Sequence, residues 1–207
     1  MPARKAAVRK APPETGEGAF GQPALLLAEI ERLKGEVTEA RRIIGDLEAR
    51  ADVDPLLDIL NRRAFERELK RALAYIERYK GEAALLFIDL DGFKAVNDRH
   101  GHAAGDALLE AVARELTAHV RASDVVARLG GDEFGVLLWN LPPSVAVAKA
   151  RELEGLIEAV SVEGDAARLS VGASAGVAAL AAGATPAQTI DAADRAMYAR
   201  KKERRAG

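Results

Sequence analysis

The pattern of hydrophobic and polar positions divides the chain into three parts. Residues 1–23 carry few large apolar side chains but several prolines and glycines. Such a segment cannot bury enough surface to offset the entropy of ordering it, so we predict a disordered basic tail. The tail is expected to be solvated, and contact of its basic start with acidic surfaces is the alternative. The pattern changes at Leu26, where apolar residues begin to recur at helical spacing, and changes again near residue 53.

Residues 24–52 follow a heptad repeat. The a positions hold mostly β-branched residues and the d positions mostly leucine: Ile30, Val37, Ile44 and Ala51 at a, and Leu26, Leu33, Ala40 and Leu47 at d. This arrangement favours a parallel two-stranded coiled coil. Glu29 with Lys34 and Glu36 with Arg41 would attract each other across the seam. We therefore predict a dimeric coiled coil, with a single amphipathic helix packed on the next domain as the alternative.

Residues 53–207 alternate between helical and strand patterns. The spacing predicts helices over 61–79, 103–120, 142–160 and 185–201, and strands over 83–90, 125–129, 134–139 and 169–180. Thr185, just before Pro186, is a favourable N-cap for the last helix. The order of elements predicts an α/β domain in which helices flank a central sheet.

The turn between the strands at 125–129 and 134–139 holds two glycines and two acids. Gly130 and Gly131 allow positive φ angles and let a bulky anion approach the backbone. Asp132 and Glu133 repel each other unless a cation or a catalytic task holds them there. An isolated motif of this kind is often a solvated acidic hairpin, but its context indicates a site for metal and phosphate.

Asp89 ends a buried apolar run, which places it at an edge of the sheet where α/β proteins bind ligands. Asp89 and Asp132 are suited to Mg²⁺ or Mn²⁺ bridging phosphates, and Lys94 offers a positive charge to a phosphate. An EF-hand is excluded because the run from Asp89 to Gly92 lacks the third oxygen ligand and the later glutamate.

Asn97 and Asp106 flank a glycine- and histidine-containing loop. A carboxylate can accept from guanine N1–H and N2–H₂, and an amide can pair with O6 or N7. As isolated residues, the two would instead be helix caps. His100 and His102 have only weak metal-ligand spacing, and as a pair we interpret them as structural.

Composition excludes several classes. The net charge of −2 gives no broad basic field for nucleic acid, and the absence of cysteine excludes disulfides and thiolate metal sites. No apolar run approaches the roughly 20 residues that span a bilayer. We expect a soluble cytoplasmic protein that has no membrane span and does not bind nucleic acid.

Together the motifs resemble the GGDEF-domain diguanylate cyclases, named for the run Gly130–Phe134. The resemblance covers residues 54 to about 205. It includes Asp54-x-Leu56, Asn61-Arg62-Arg63, the run from Asp89 to Asp98, Gly101-His102-x-x-Gly105-Asp106, Ser174-x-Gly176, and Ala193-Asp194-x-Ala196-Met197-Tyr198 with Lys201. It implies a mostly antiparallel five-stranded sheet flanked by helices, similar to nucleotidyl cyclases and the polymerase palm, after a long coiled-coil helix.

The resemblance also implies a function. Such enzymes act as homodimers that join two GTP into cyclic di-GMP and release two pyrophosphates, with two Mg²⁺ or Mn²⁺ ions per active site. The metal ligands would be Asp89, Asp132, Glu133 and the Leu90 carbonyl. The catalytic residues would be Glu133, Asp132 and Lys94, and Glu133 would activate the ribose 3′-hydroxyl. Asn97 and Asp106 would read guanine. The other substrate contacts would be Gly92, Phe93, Lys94, Gly130, Gly131, His102, Lys201 and Arg205.

Arg121 and Asp124, spaced as Arg-x-x-Asp, resemble the inhibitory product site of the family, with a helix C-cap and a turn aspartate as the alternative.

The chain departs from the family pattern at Leu57, Asp58, Gly92, Arg200, Arg204 and Ala206. A catalytically silent sensor of cyclic di-GMP or GTP is the alternative function, and a coiled-coil scaffold is a third. The presence of both turn acids favours the enzyme.

Overall fold

The computed structural model of the protein describes residues 21–50, 52–163 and 168–206. The predicted tail lies largely outside these residues. The chain forms two compact units, one ending at Glu48 and the other beginning at Ala49. Among the described residues, no helix combines the length and apolar character needed to cross a membrane.

The first unit is the helix α1, Gly21–Arg50. Its described seam residues Leu26, Ile30, Leu33 and Val37 are between 45% and 64% exposed. Arg32 forms ion pairs with Glu29 and Glu36 within the same helix, and Lys34 pairs with Glu31. The side chains of Ile44 and Leu47, and Ala51 as a whole, lie outside the described part. The helix agrees with the heptad prediction, whereas its pairing with a second chain remains a prediction.

The second unit is a sheet between two layers of helices. Its elements are β1 (Leu60–Asn61), α2 (Arg62–Tyr79), β2 (Ala83–Asp91), α3 (Phe93–His100), α4 (His102–Ala118), β3 (Val125–Gly130), β4 (Glu133–Trp139), α5 (Pro143–Ala159), β5 (Val162–Glu163), β6 (Arg168–Leu169), β7 (Gly172–Ala179) and α6 (Pro186–Ala206). The strand order in the five-stranded sheet is β1-β3-β4-β2-β7. Only the β1–β3 pair in this sheet is parallel, which confirms the mostly antiparallel five-stranded fold.

The strand β2 lies inside the sheet and buries side chains on both faces. Leu86 and Ile88 belong to a core with α4 and α5, whereas Leu85 and Phe87 belong to a core with α2 and α6. This alternation follows from the period of two along a strand. The continuous apolar run in the sequence therefore correctly indicated a strand covered on both sides.

Local signals fix several helix boundaries. The Asn61 side chain accepts a hydrogen bond from Ala64 N at 3.1 Å and caps α2. Thr185 and Gln188 form a reciprocal capping box at the start of α6, with Gln188 N donating to Thr185 Oγ1 at 3.3 Å. The predicted strand over 169–180 is instead two strands, because Leu169 ends β6 and β7 begins at Gly172. The last helix also continues beyond Lys201 to Ala206.

Candidate active site

The turn between β3 and β4 is held from two directions. A register shift lies between Arg128 and Gly130, and Gly131 has a φ of 29°. Arg128 donates to the Gly131 carbonyl from Nε at 3.0 Å and from Nη2 at 2.8 Å, and its Nη1 lies 3.4 Å from Asp54 Oδ2. Arg62 Nη1 donates to the Leu129 carbonyl at 3.3 Å. These contacts fix the backbone that carries the two turn acids.

The sheet register brings the acids of β2 and β4 together. Asp89 is directly opposite Glu133, and Leu90 N donates to the Asp132 carbonyl at 3.1 Å. Like charges directly opposite on neighbouring strands destabilise a sheet unless something compensates them. The structure therefore brings together acids from two separate motifs, and their binding of a metal stays a prediction.

Burial and repulsion both act on the protonation of these acids. Burial raises the pKa of Asp89 above its ordinary value, and the negative charges of Asp132 and Asp91 add to this against the opposing effect of Lys201. Burial also raises the pKa of Glu133; Asp89, Asp132 and Asp194 add to the increase, whereas Arg62 opposes it. The site thus has more negative charge than the described cations balance, which favours binding of a further cation.

The main positive charge at the acids comes from α6. Lys201 forms an ion pair with Asp89, and its Nζ also lies 3.1 Å from Asp91 Oδ1. Burial lowers the pKa of Lys201, but its contacts with Asp89 and Asp91 outweigh that effect and the net direction is upward. Two carboxylates stabilise the charged form of Lys201 and raise its pKa. At Asp89, burial and two neighbouring acids outweigh the single ammonium of Lys201, so the pKa of Asp89 rises as well. Ser174 Oγ donates to Asp91 Oδ2 at 2.6 Å.

The donor set fits a divalent ion that is completed by a phosphate ligand. Asp91 Oδ1 is buried, and the described cation nearest to it is the Lys201 ammonium at 3.1 Å. In the described part of the chain, no three side chains of His, Cys, Asp or Glu form a metal site by themselves. Mg²⁺ commonly binds through one or two carboxylates plus substrate phosphates, and Asp89, Asp132 and Glu133 suit that mode.

The residues predicted to read guanine lie on α3 and α4. Asn97 Oδ1 is buried without a hydrogen-bond partner in the described residues, and Asp106 is exposed on α4. A Cβ at Gly105 would lie 1.9 Å from Asn97 Oδ1, so a side chain at position 105 would displace the Asn97 amide. The helix-cap alternative is not realised, because Gly92 and Gly101 hold the cap positions of α3 and α4.

The predicted phosphate contacts are only partly described. Gly92 has a φ of 85° at the start of α3, where Phe93 is buried and Lys94 is exposed. His102 is exposed at the start of α4. The side chain of Arg205 lies outside the described part. A cavity of about 380 Å³ is instead lined by Asp91, Gly92, Gly172, Lys201 and Arg204, so the sequence analysis missed Asp91 and Arg204.

Arg121 and Asp124 line a second cavity of about 430 Å³, between α4, β4 and α5. The Arg121 side chain is exposed, whereas both carboxylate oxygens of Asp124 accept backbone hydrogen bonds at 3.0 Å, from Arg121 N and Trp139 N. Asp124 therefore has the structural role of a turn aspartate. Trp139 and Lys149 also line this cavity, and neither was singled out by the sequence analysis.

Comparison with known proteins identifies the family. The profile described as "Diguanylate cyclase, GGDEF domain" matches residues 51–207. The "Probable diguanylate cyclase DgcE" of Escherichia coli K12 is 46% identical over 148 residues, which is 69% of this chain and 13% of that protein. The "Diguanylate cyclase TpbB" of Pseudomonas aeruginosa UCBPP-PA14 is 38% identical over 182 residues, covering 87% of this chain and 41% of that protein. The chain thus spans less than half the length of either relative.

Solved structures agree with this result. The coiled coil and GGDEF domain of DgcB from Caulobacter crescentus, in complex with c-di-GMP, has a TM-score of 0.73 at 27% identity and covers 86% of this chain and 95% of that one. A sensory box/GGDEF family protein from C. crescentus CB15 has a TM-score of 0.68 at 38% identity and covers 73% of this chain and 99% of that one. Sequence, fold and the acidic turn agree, and the chain belongs to the GGDEF diguanylate cyclase family.

Proposed function

We propose that this chain condenses two molecules of GTP into cyclic di-GMP with release of two pyrophosphates. The observation that carries the proposal is the register that sets Asp89 against Glu133, with Lys201 and Asp91 at the same edge. Converging carboxylates can hold a divalent ion, and a lysine beside them can receive a phosphate of the bound nucleotide. Because GTP is an intracellular nucleotide, we also propose a cytoplasmic location for the domain.

Diguanylate cyclases of this family generally need a divalent metal ion, and we propose two Mg²⁺ or Mn²⁺ ions per site. Asp89, Asp132, Glu133 and the Leu90 carbonyl would hold them. A bound divalent ion would neutralise charge on the triphosphate and act as a Lewis acid. Lys201 and the Gly92 end of α3 line the same cavity, where they would receive the β- and γ-phosphates together with Phe93, Lys94 and Arg205.

Glu133 is the proposed general base. Burial and neighbouring acids raise the pKa of its carboxyl group, and general bases commonly have pKa values shifted in this direction. Glu133 would accept the proton of the ribose 3′-hydroxyl. The 3′-oxygen then forms a bond to the α-phosphorus of the other GTP, and the bond from that phosphorus to pyrophosphate breaks. Repeating the step in the opposite sense closes the ring, so the atoms balance as two GTP to one cyclic dinucleotide and two pyrophosphates.

Asn97 and Asp106 would select guanine. Asn97 Oδ1 is a buried acceptor that has no hydrogen-bond partner within the part of the chain that the structure describes, and such an atom requires an explanation. An N–H donor of the base supplies one. The exposed Asp106 carboxylate would accept from a second N–H of the same guanine.

The reaction needs two domains, since each holds one GTP, and we propose that α1 supplies the second by dimerising. Its described seam residues Leu26, Ile30, Leu33 and Val37 are about half exposed in the single chain. A dimer would bury them and raise the effective concentration of one catalytic domain for the other. The solved DgcB structure with the high TM-score likewise contains a coiled coil and a GGDEF domain.

We propose product inhibition at Arg121 and Asp124. The exposed Arg121 guanidinium is free to donate to a phosphate or a guanine edge at the mouth of the 430 Å³ cavity. Asp124 is engaged by two backbone amides, so it would act mainly by shaping the turn. Arg121→Ala should relieve inhibition by added cyclic di-GMP without changing the initial rate, and unchanged inhibition would contradict this site.

Incubation of the pure chain with GTP and Mg²⁺ at high protein concentration tests the main proposal. We expect cyclic di-GMP and two equivalents of pyrophosphate by chromatography. GTP binding without turnover would contradict the proposal in favour of a silent sensor. No thermal stabilisation by any guanine nucleotide would contradict it in favour of a scaffold.

A further inference from the structure

Among the described residues, side chains and not another strand cover the outer edge of β7. The strand pairs only with β2 in the five-stranded sheet, and Ala173 and Ala175 are opposite Leu90 and Ile88. Arg204 Nη1 donates to the Ala173 carbonyl at 2.8 Å, and Glu154 Oε1 accepts from Ala175 N at 2.8 Å. An exposed sheet edge presents unpaired backbone groups, and these two side chains satisfy two of them.

The carboxylate of Glu154 is deeply buried and held by cations. Its side chain is 5% exposed, and Oε2 lies 3.3 Å from Arg200 Nη2 and 3.7 Å from Arg204 Nη1. Arg204 also forms an ion pair with Glu158. A buried charge is costly unless it is paired and hydrogen-bonded, so this arrangement strongly ties α5 and β7 to α6. We call Glu154, Arg200 and Arg204 the α6 clamp.

The α6 clamp is adjacent to the lysine that meets the catalytic acids. Arg204 is three residues from Lys201 and four from Arg200, spacings at which side chains are neighbours on a helix. Ser174, between the two β7 residues that the clamp binds, donates to Asp91, which also faces Lys201. The helix and strand are in close contact at Gly176, where a Cβ would lie 2.0 Å from Met197 N.

We propose that Glu154 is a positioning residue of the active site, acting through Arg200 and Arg204. The α6 clamp fixes the rotation of α6 and its position along β7. Lys201 is thereby held next to Asp89 and Asp91, where it would bind the terminal phosphates of GTP. This inference rests on the proposed function. Both arginines lie at positions where the sequence departs from the family pattern.

The test compares Glu154→Gln with Glu77→Gln in the full chain, using initial rates before product accumulates. The amide introduced by Glu154→Gln keeps an acceptor for Ala175 N but loses the charge that the arginines bind. Glu77 is exposed on α2 and lines neither of the two cavities described above. We expect Glu154→Gln to raise KM for GTP about tenfold while kcat changes less than about threefold, and Glu77→Gln to leave both constants unchanged.

A double-mutant cycle separates positioning from general stability. In the Lys201→Ala background, Glu154→Gln should have no further effect on KM, because the group it positions is gone. Equal KM effects in both backgrounds, or an unchanged KM in Glu154→Gln, would overturn the inference. If Glu154→Gln does not fold, the pair Arg200→Gln with Arg204→Gln tests the same contacts from α6 under the same criteria.

A measurement independent of turnover distinguishes failure of this inference from failure of the proposed function. Wild-type protein that makes no cyclic dinucleotide would overturn the function. Hydrogen exchange then tests the α6 clamp: Glu154→Gln should speed exchange over Pro186–Ala206 more than Glu77→Gln does. Equal exchange in the two variants would overturn the clamp itself.

Discussion

Two clusters of charged residues in the GGDEF domain differ in how well nearby cations balance their acids. Asp52, with a side chain 13% exposed, lies 3.0 Å from Arg63 and forms an ion pair with Arg67, and the hydrogen bond from Arg67 is the main cause that lowers its pKa. Asp89 and Glu133 are opposite each other, and burial with neighbouring acids raises their pKa values. The protein supplies enough cations where an acid only holds the fold together. It supplies too few where we propose that a metal–nucleotide complex binds.

The largest expected effect is at the second cluster. Glu133→Gln keeps the size of the side chain but removes the base and the charge, so turnover of GTP should fall about 10²–10⁴-fold. The same change removes repulsion from Asp89 and should raise the Tm of the ligand-free protein, as often happens when a strained functional site is relieved. Glu110→Gln, exposed on α4, is the matched control for both measurements. Turnover above half of the wild-type rate would contradict the role of Glu133.

An intermediate effect is expected from ligand binding. Mg²⁺ with a nonhydrolysable GTP analogue, at about 100 times its Kd, should raise the Tm of the wild-type protein by about 5–10 °C. Asp89→Asn should lose most of this shift because it removes a metal ligand. Asp52→Asn should retain the shift, since that acid already has its cations. Removal of the metal by EDTA should reverse the wild-type shift, and equal shifts in all three proteins would invalidate the contrast between the clusters.

The smallest effect is the dependence of stability on pH. Asp52→Asn should lower the Tm at pH 7 by about 2–4 °C. Since the folded-state pKa of Asp52 is lowered, its stabilisation is complete above the ordinary carboxyl pKa of about 4 and is lost as the pH falls below it. The Tm difference from wild type should therefore vanish in acid.

The Tm difference between Glu133→Gln and wild type should have the opposite sign to that of Asp52→Asn at neutral pH. The raised folded-state pKa means that the ionised acid destabilises the fold at neutral pH, and that this cost disappears as Glu133 becomes protonated on acidification. Asp98→Asn, exposed on α3, serves as the control for thermal scans of both variants over pH. A Tm difference for Asp52→Asn that persists unchanged in acid would show that the arginine contacts do not stabilise the fold.

Local chemistry made much of the fold predictable. Thr185 marked the start of the last helix, and the apolar run of β2 marked a strand buried on both faces. The strand β1 has only two residues and α3 only eight, so neither carries enough periodicity to be recognised. The break between β6 and β7 was missed because its small residues fit either a strand or a turn.

The site was predictable where residues act close together in sequence. The turn acids and Asp89 were found from their motifs, and the register brings them together. Contacts between distant residues were not foreseen: Arg128 with Asp54, Arg62 with Leu129, and Glu154 with Arg200. No pattern in one sequence indicates which of many charged residues will meet, because tertiary packing decides it. Arg204 was noticed only as a departure from the family.

The contact between Gly105 and Asn97 has a consequence for how nucleotide choice can change over time. A methyl group at position 105 would overlap the amide of Asn97, whereas the acids of the turn lie on different elements. Under the proposed function, mutation there would disturb recognition of the base and leave the metal and phosphate site on the strands intact. Base selectivity would then be able to change independently of reactivity, because the two depend on different elements of the fold.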